Sequence, residues 1–152
     1  MEFSIIAEIF EKMEKTSKRT ELTEILVELL QKTPKKIIPI IVYLLQGIIR
    51  PNFEGVELGI AEKLAIRAIS KSSGLPIKKI EDGYRDDGDL GITASNILKL
   101  KTQTTFTAEK ITIERVYETL FKIAKLEGKG SQDLKMKYIS SLLNDATPLE
   151  AK

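Results

Sequence analysis

The sequence predicts an all-α fold built as an array of helical hairpins, and three observations predict it. Apolar residues recur at helical spacing along most of the chain. No two segments alternate as a pair of strands would. The two halves also share an order of elements, because each carries a helix, a glycine-bearing turn and a following helix.

The first three helices are predicted from apolar stripes and from the residues that end them. An amphipathic helix is expected over residues 3–15, and a second runs from Thr20 until Pro34 ends it. Residues 35–46 are apolar on nearly every side, which predicts a buried helix that tolerates Pro39 near its first turn.

A loop at residues 50–55 separates these helices from the next three. Residues 59–72 form a helix that Gly74 ends, and a short helix follows from Pro76 to about residue 85. Residues 92–100 are helical again.

The last third begins with an exposed loop at residues 101–111, where polar β-branched residues show no helical stripe. Thr112 is expected to cap a helix that runs through Lys125, and Ser131 a helix that runs to about Asn144. Thr147 is expected to cap one more helix, which begins with Pro148.

Composition excludes several classes of function. The 152 residues fit one domain and contain no Cys and no His, so disulfides, zinc fingers, cysteine nucleophiles and imidazole catalysis are excluded. With 24 Lys+Arg against 22 Asp+Glu, any phosphate affinity must come from local clustering and main-chain donors. Residues 1–20 do not resemble a secretory signal, so a cytoplasmic protein is expected.

Two glycine-bearing turns are the best candidates for a binding site. The first glycine turn (Gly88–Gly91) and the second glycine turn (Gly128–Gln132) each precede a predicted helix. A helix N-terminus has unpaired N–H groups and the positive end of the peptide dipole, so glycine there lets a phosphate approach the main chain. Two such turns on one helical body indicate a surface that grips a nucleic-acid backbone at two places.

Lys135 is the expected side-chain contact of the second glycine turn. It lies four residues after Ser131, so a helix returns it to nearly the same face. In this register Leu134 and Tyr138 point to the core, which leaves Lys135 to solvent or ligand. The alternative is that the turn only connects two helices, with a C-cap glycine followed by an N-cap serine.

Catalytic and metal-binding interpretations fit the spacing poorly. The acidic stretch at residues 81–89 lacks the register of a calcium loop, and Asp89 is better explained as a helix cap. Residues 79–83 resemble the lysine-x-aspartate-glycine motif of nucleotidyl transferases but are off by one residue. The second glycine turn is too short for a phosphate-binding NTPase loop. We therefore interpret the chain as non-catalytic.

The first two predicted helices resemble those of archaeal, crenarchaeal-like ATP-dependent DNA ligases, and four further segments resemble the N-terminal DNA-binding domain of archaeal and eukaryotic members. These four segments are GVELG at 55–59, GDLG at 88–91, GKGSQDLK at 128–135 and PLEAK at 148–152. The resemblance covers nearly all of residues 1–152. It implies an all-helical domain with approximate internal two-fold symmetry that holds nicked duplex DNA through the minor groove.

The resemblance also has implications for partners and cofactors. ATP and magnesium would act in the adenylation and OB domains, which lie outside this chain, and the DNA-binding domain itself is expected to be truncated at its C-terminal end. The loop at 101–111 resembles a sliding-clamp motif through Gln103 and Phe106 but lacks a second aromatic. The expected DNA contacts are Gly88, Asp89, Leu90, Gly91, Lys129, Gly130, Ser131, Gln132 and Lys135. The alternative function is a helical protein-interaction module, for example one that docks on a sliding clamp.

Overall fold

The computed structural model describes residues 1–100 and 109–152, and within them the chain forms eight α-helices. These are α1 (Phe3–Glu14), α2 (Arg19–Lys32), α3 (Ile38–Leu45), α4 (Glu62–Ser73), α5 (Ile77–Asp87), α6 (Leu90–Leu100), α7 (Ile113–Ala124) and α8 (Ser131–Asp145). The predicted all-α class is confirmed, and the internal two-fold symmetry stays a prediction. No helix of the described ranges has the length and apolar character needed to cross a membrane.

Main-chain bonds join the N-terminus to the start of α7. The N–H of Phe3 donates to the carbonyl of Ile111 at 2.8 Å, and the N–H of Ile113 donates to the carbonyl of Met1 at 3.0 Å. The Thr112 hydroxyl accepts the N–H of Arg115 at 3.2 Å, which confirms the predicted cap. Helices α1 and α7 therefore begin next to each other.

The buried apolar residues form two clusters. The first joins α1, α2, α3 and α7, and the second joins α4, α5 and α6, with one residue of α8 packed against it. Burying an Ile or Leu side chain contributes about 1.5–3 kcal/mol, so these clusters dominate the stability of the fold. The buried members are Ile6, Ile9, Leu29, Ile37, Ile41 and Ile113 in the first cluster, and Ile66, Ile69, Ile80, Ala94 and Ile97 in the second.

Helix α8 packs along α4 through short side chains. Ala68 of α4 is fully buried, and its carbonyl accepts the hydroxyl of Ser140 at 3.3 Å. Short side chains at a helix contact let the two axes lie close together. The second glycine turn thus precedes a helix that is fixed against the second cluster.

The C-terminal residues form a turn between α1 and α6. The N–H of Thr147 donates to the Glu150 carboxylate at 2.8 Å, and the N–H of Glu150 donates to the Thr147 hydroxyl at 3.3 Å. This reciprocal capping box confirms the predicted cap at Thr147, but the helix predicted to begin with Pro148 is wrong, because residues 148–151 form only a turn. Lys152 pairs with Glu14 of α1, and the hydrogen bond that its ammonium donates to this carboxylate raises the pKa of Lys152.

Three helices begin elsewhere than the sequence predicts. Helix α4 begins at Glu62 rather than residue 59, because Gly59 has a φ of +58° and cannot belong to a right-handed helix. Helix α6 begins at Leu90, two residues early, because Asp89 caps it. Helix α3 begins only at Ile38, which places a proline in its first turn.

Candidate nucleic-acid interface

The first glycine turn lies between α5 and α6. Gly88 has a φ of +72° and donates its N–H to the carbonyl of Tyr84 at 2.8 Å, a left-handed C-cap that glycine adopts without strain. Asp89 accepts the N–H of Ile92 at 2.9 Å, so its predicted role as a cap is confirmed. The carboxylate of Asp89 therefore lies at the N-terminus of α6.

Other parts of the same chain fill the space beside the first glycine turn. A β-carbon on Gly91 would collide with the carbonyl oxygen of Lys152. Asp87 adds a second carboxylate, which accepts hydrogen bonds from Thr93 at 3.0 Å and from Asn96 at 3.2 Å. The space beside Gly91, where the sequence predicts the approach of a phosphate, is therefore occupied by the main chain of Lys152.

The second glycine turn is more open. Gly128 and Gly130 have φ values of +83° and +85°, and both are exposed together with Lys129. Gly130, rather than Ser131, is the N-cap of α8, and no side chain caps this helix. Ser131 is instead its first residue and is buried, so the predicted serine cap is wrong. The N–H of Ser131 donates to the carbonyl of Gly128 at 3.2 Å, and α8 has no side-chain cap to accept its other first-turn N–H groups.

Lys135 is buried, and its expected orientation is wrong. It is only 7% exposed, whereas Leu134 is 46% exposed. The Lys135 ammonium donates to the carbonyl of Gly59 at 3.3 Å. The reason is the packing of α8 against α4, in which the hydroxyl of Ser140 also donates to the carbonyl of Ala68. A lysine fits there because its aliphatic stem can be buried while its ammonium finds a carbonyl.

Residues at and just before the start of α4 contact the surroundings of both glycine turns. Gly88 and Lys63 line one cleft of about 420 Å³, where the hydroxyl of Tyr84 donates to Glu62 at 3.2 Å. The charge of Glu62 raises the pKa of the Tyr84 phenol, which stays a neutral donor at physiological pH. Just before α4, the carbonyl of Gly59 accepts the hydrogen bond from the ammonium of Lys135.

A cluster of aromatic and cationic side chains lies just before the second glycine turn. The ring of Phe121 stacks with that of Tyr117 at a centroid distance of 6.2 Å. The Lys125 ammonium lies 4.2 Å from the Phe121 centroid, and the Arg50 guanidinium lies 5.6 Å from it. Positive charge thus lies both before the turn, at Lys125, and within it, at Lys129.

Comparison with known proteins identifies the family. The family described as DNA ligase N terminus matches residues 2–152, which is nearly the whole chain. The chain belongs to this family. It is 74% identical to the DNA ligase of Nitrosopumilus maritimus and 65% identical to that of Cenarchaeum symbiosum, each over 99% of the chain. It is 42% identical to DNA ligase 2 of Thermofilum pendens. The chain spans 26% of the length of each of these relatives.

Two further predictions about this ligase domain concern other ligands. The candidate clamp-binding residues Gln103 and Phe106 lie outside the described residues. Within residues 1–100 and 109–152, no group of three or more acidic residues is placed to hold a metal ion. In the acidic stretch, Asp82 pairs with Arg85 at 3.2 Å.

Sequence reasoning missed several residues of the ligase domain that surround the two turns. Lys63 and Arg85 line the cleft at Gly88, and Lys125 lies before the second turn. Phe53, which lies in the loop before α4, is 88% exposed. Of these residues, only Phe53 could have been identified from the sequence. It is a large aromatic residue in a loop between Pro51 and Gly55 and belongs to no apolar stripe that would pack it in the core.

Proposed function

We propose that this chain is a non-catalytic DNA-binding module that positions nicked duplex DNA for an ATP-dependent ligase. It contacts phosphates and sugars from the minor groove and reads no base sequence. Membership of the DNA ligase N-terminal family supports a role on DNA. The open N-terminus of α8 supports a contact to the phosphate backbone, which every DNA sequence shares.

The observation that carries the proposal is the difference between the two turns. The N-terminus of α6 already holds the carboxylate of Asp89, whereas the N-terminus of α8 has no side-chain cap. Lys129 is exposed there and makes no ion pair with a described residue. An anion bound at the N-terminus of α8 accepts hydrogen bonds from main-chain N–H groups and is attracted by the positive charge of Lys129.

We therefore divide the predicted site residues by role. Lys129, Gly130 and Gln132 contact phosphate, and Gly88 contributes to a second contact with the neighbouring cations Lys63 and Arg85. The remaining predicted residues take structural roles, in capping or packing: Asp89, Leu90, Gly91, Ser131 and Lys135.

Binding should be electrostatic and independent of base sequence. If the chain neutralises about four to eight phosphates, a plot of log affinity against log salt should have a slope of roughly −4 to −7. Fluorescence anisotropy of labelled duplexes with and without a nick, in several sequences and over a salt series, measures this slope. Lys129→Ala should reduce it by about one unit for every sequence.

Lys78→Ala is the control, because Lys78 lies at the end of α5 that is remote from the first glycine turn. It should leave both affinity and slope unchanged. A flat salt response, or a strong preference for one sequence, would contradict the proposal. Failure to bind DNA together with binding to a sliding clamp would favour the alternative, a protein-interaction module.

The isolated chain should not react with ATP. Lys79 lacks the motif spacing of a nucleotidyl transferase, and a lysine nucleophile needs its amine activated by its surroundings. Lys79 is exposed near the start of α5 and pairs with no described carboxylate. Incubation with radiolabelled ATP and magnesium should leave the protein unlabelled, with a full-length archaeal DNA ligase as the positive control. Covalent label on any lysine would show that the chain is catalytic.

A further inference from the structure

We propose that Phe53 is an apolar wedge that stacks on a base step of the bound DNA. The inference rests on the proposed DNA binding and adds to it an uncharged contact to the bases. Phe53 is 88% exposed, the highest value for a large apolar side chain in residues 1–100 and 109–152. A partner that covers this ring gains from removing its apolar surface from water.

The turn that carries Phe53 is well fixed. In the 3-10 turn Asn52–Glu54, the N–H of Glu54 donates to the carbonyl of Pro51 at 2.9 Å. Gly55 ends the turn with a φ of +65°, and Arg50 pairs with Glu54 across it at 2.9 Å. A side chain held at the tip of a fixed turn loses little entropy when it binds.

Both ends of the loop that carries Phe53 are tied to the region of the second glycine turn. At one end, Arg50 shares the ring of Phe121 with Lys125. At the other end, Gly59 holds the ammonium of Lys135. Between these points, residues 55–57 and 124–127 line a common cleft of about 610 Å³. The loop that carries Phe53 therefore borders the same cleft as residues 124–127, which directly precede the second glycine turn.

The chemistry of the cleft favours a base contact here over a further phosphate site. Glu57 and Glu127 line the cleft together with Lys125 and Lys135, so its charges nearly cancel. An aromatic ring beside such a surface can stack on bases, and proteins that bind the minor groove insert apolar wedges between base steps. Unstacking costs least where the strand is already interrupted, so the contact should favour a nick.

The test uses the absence of tryptophan from the chain. Phe53→Trp introduces a single indole, whose fluorescence is quenched when it stacks on a base. Titration with unlabelled nicked duplex should quench the emission with the same midpoint as the anisotropy curve. Val27→Trp, at another exposed apolar position on α2, is the matched control and should not be quenched.

Phe53→Ala provides an independent measurement. Stacking energies predict a loss of affinity of about ten-fold or more, and the salt slope should stay unchanged because the ring carries no charge. DNA binding without quenching, and with normal affinity in Phe53→Ala, would overturn the wedge but leave the proposed function intact. No DNA binding by the parent chain would overturn both.

Discussion

Replacing Ile80 by alanine should lower the free energy of unfolding by about 2–5 kcal/mol. Ile80 is fully buried at the centre of the second cluster, where Ile66 and Ile69 of α4 meet Ile97 of α6. Removing its side chain loses the transfer free energy of the deleted atoms and leaves a cavity that packed helices cannot close. For a domain of this size, each kcal/mol lowers the melting temperature by about 2–4 °C.

Denaturant unfolding followed by circular dichroism measures this loss. Ile77→Ala is the matched control, because Ile77 belongs to the same helix but is 44% exposed, and it should change stability by less than about 1 kcal/mol. Ile80→Val should lie between them, with a cost of about 0.5–1.5 kcal/mol. Equal losses for Ile80→Ala and Ile77→Ala would show that the second cluster does not hold α4, α5 and α6 together.

The helices that could be predicted are those whose apolar stripe faces one cluster. Helices α1, α2 and α7 follow their predicted bounds to within a residue or two, because a stripe of period 3.6 and a cap are local features. The predicted fold class followed from the same periodicity. Starts that depend on one backbone angle, such as that of α4 after Gly59, were less accurate.

Helix α8 shows where periodicity fails. Its buried face includes Ser131, Lys135 and Ser140, while Leu134 is largely exposed. A hydrophobic stripe assigns the inward face by apolarity alone and cannot anticipate that a close contact with Ala68 requires short side chains. Which face of α8 is buried therefore depends on α4, a helix that is distant in sequence.

The two glycine turns show the same limit for the candidate site. Positive φ at Gly88, Gly128 and Gly130 follows from local turn chemistry and the need for glycine. What lies against each turn is a tertiary property. The C-terminal main chain at Gly91 and the open end of α8 could not be distinguished from the sequence, although they differ in their capacity to hold an anion.

Replacing Lys135 by alanine should destabilise the chain by about 1–3 kcal/mol, in the range of substitutions at buried sites. The substitution removes a buried aliphatic stem and the hydrogen bond to the carbonyl of Gly59. Lys137→Ala is the matched control on the same helix, because Lys137 is exposed and should change stability by less than about 0.5 kcal/mol. Lys135→Met keeps most of the buried volume and should lose less than Lys135→Ala.

The effect of Lys135→Ala on DNA binding separates a positioning role from a direct contact. Because Lys135 holds Gly59, its loss should release the loop that carries Phe53 and weaken DNA binding. The slope of log affinity against log salt should remain that of the parent, since no phosphate contact is removed. Affinities are measured by anisotropy at a temperature where the variant is folded, and indole quenching in Lys135→Ala combined with Phe53→Trp should be weaker than in Phe53→Trp alone. A slope reduced by about one unit with parental stability would instead place the Lys135 ammonium on a phosphate, and its burial against Gly59 would then not describe the DNA-bound state.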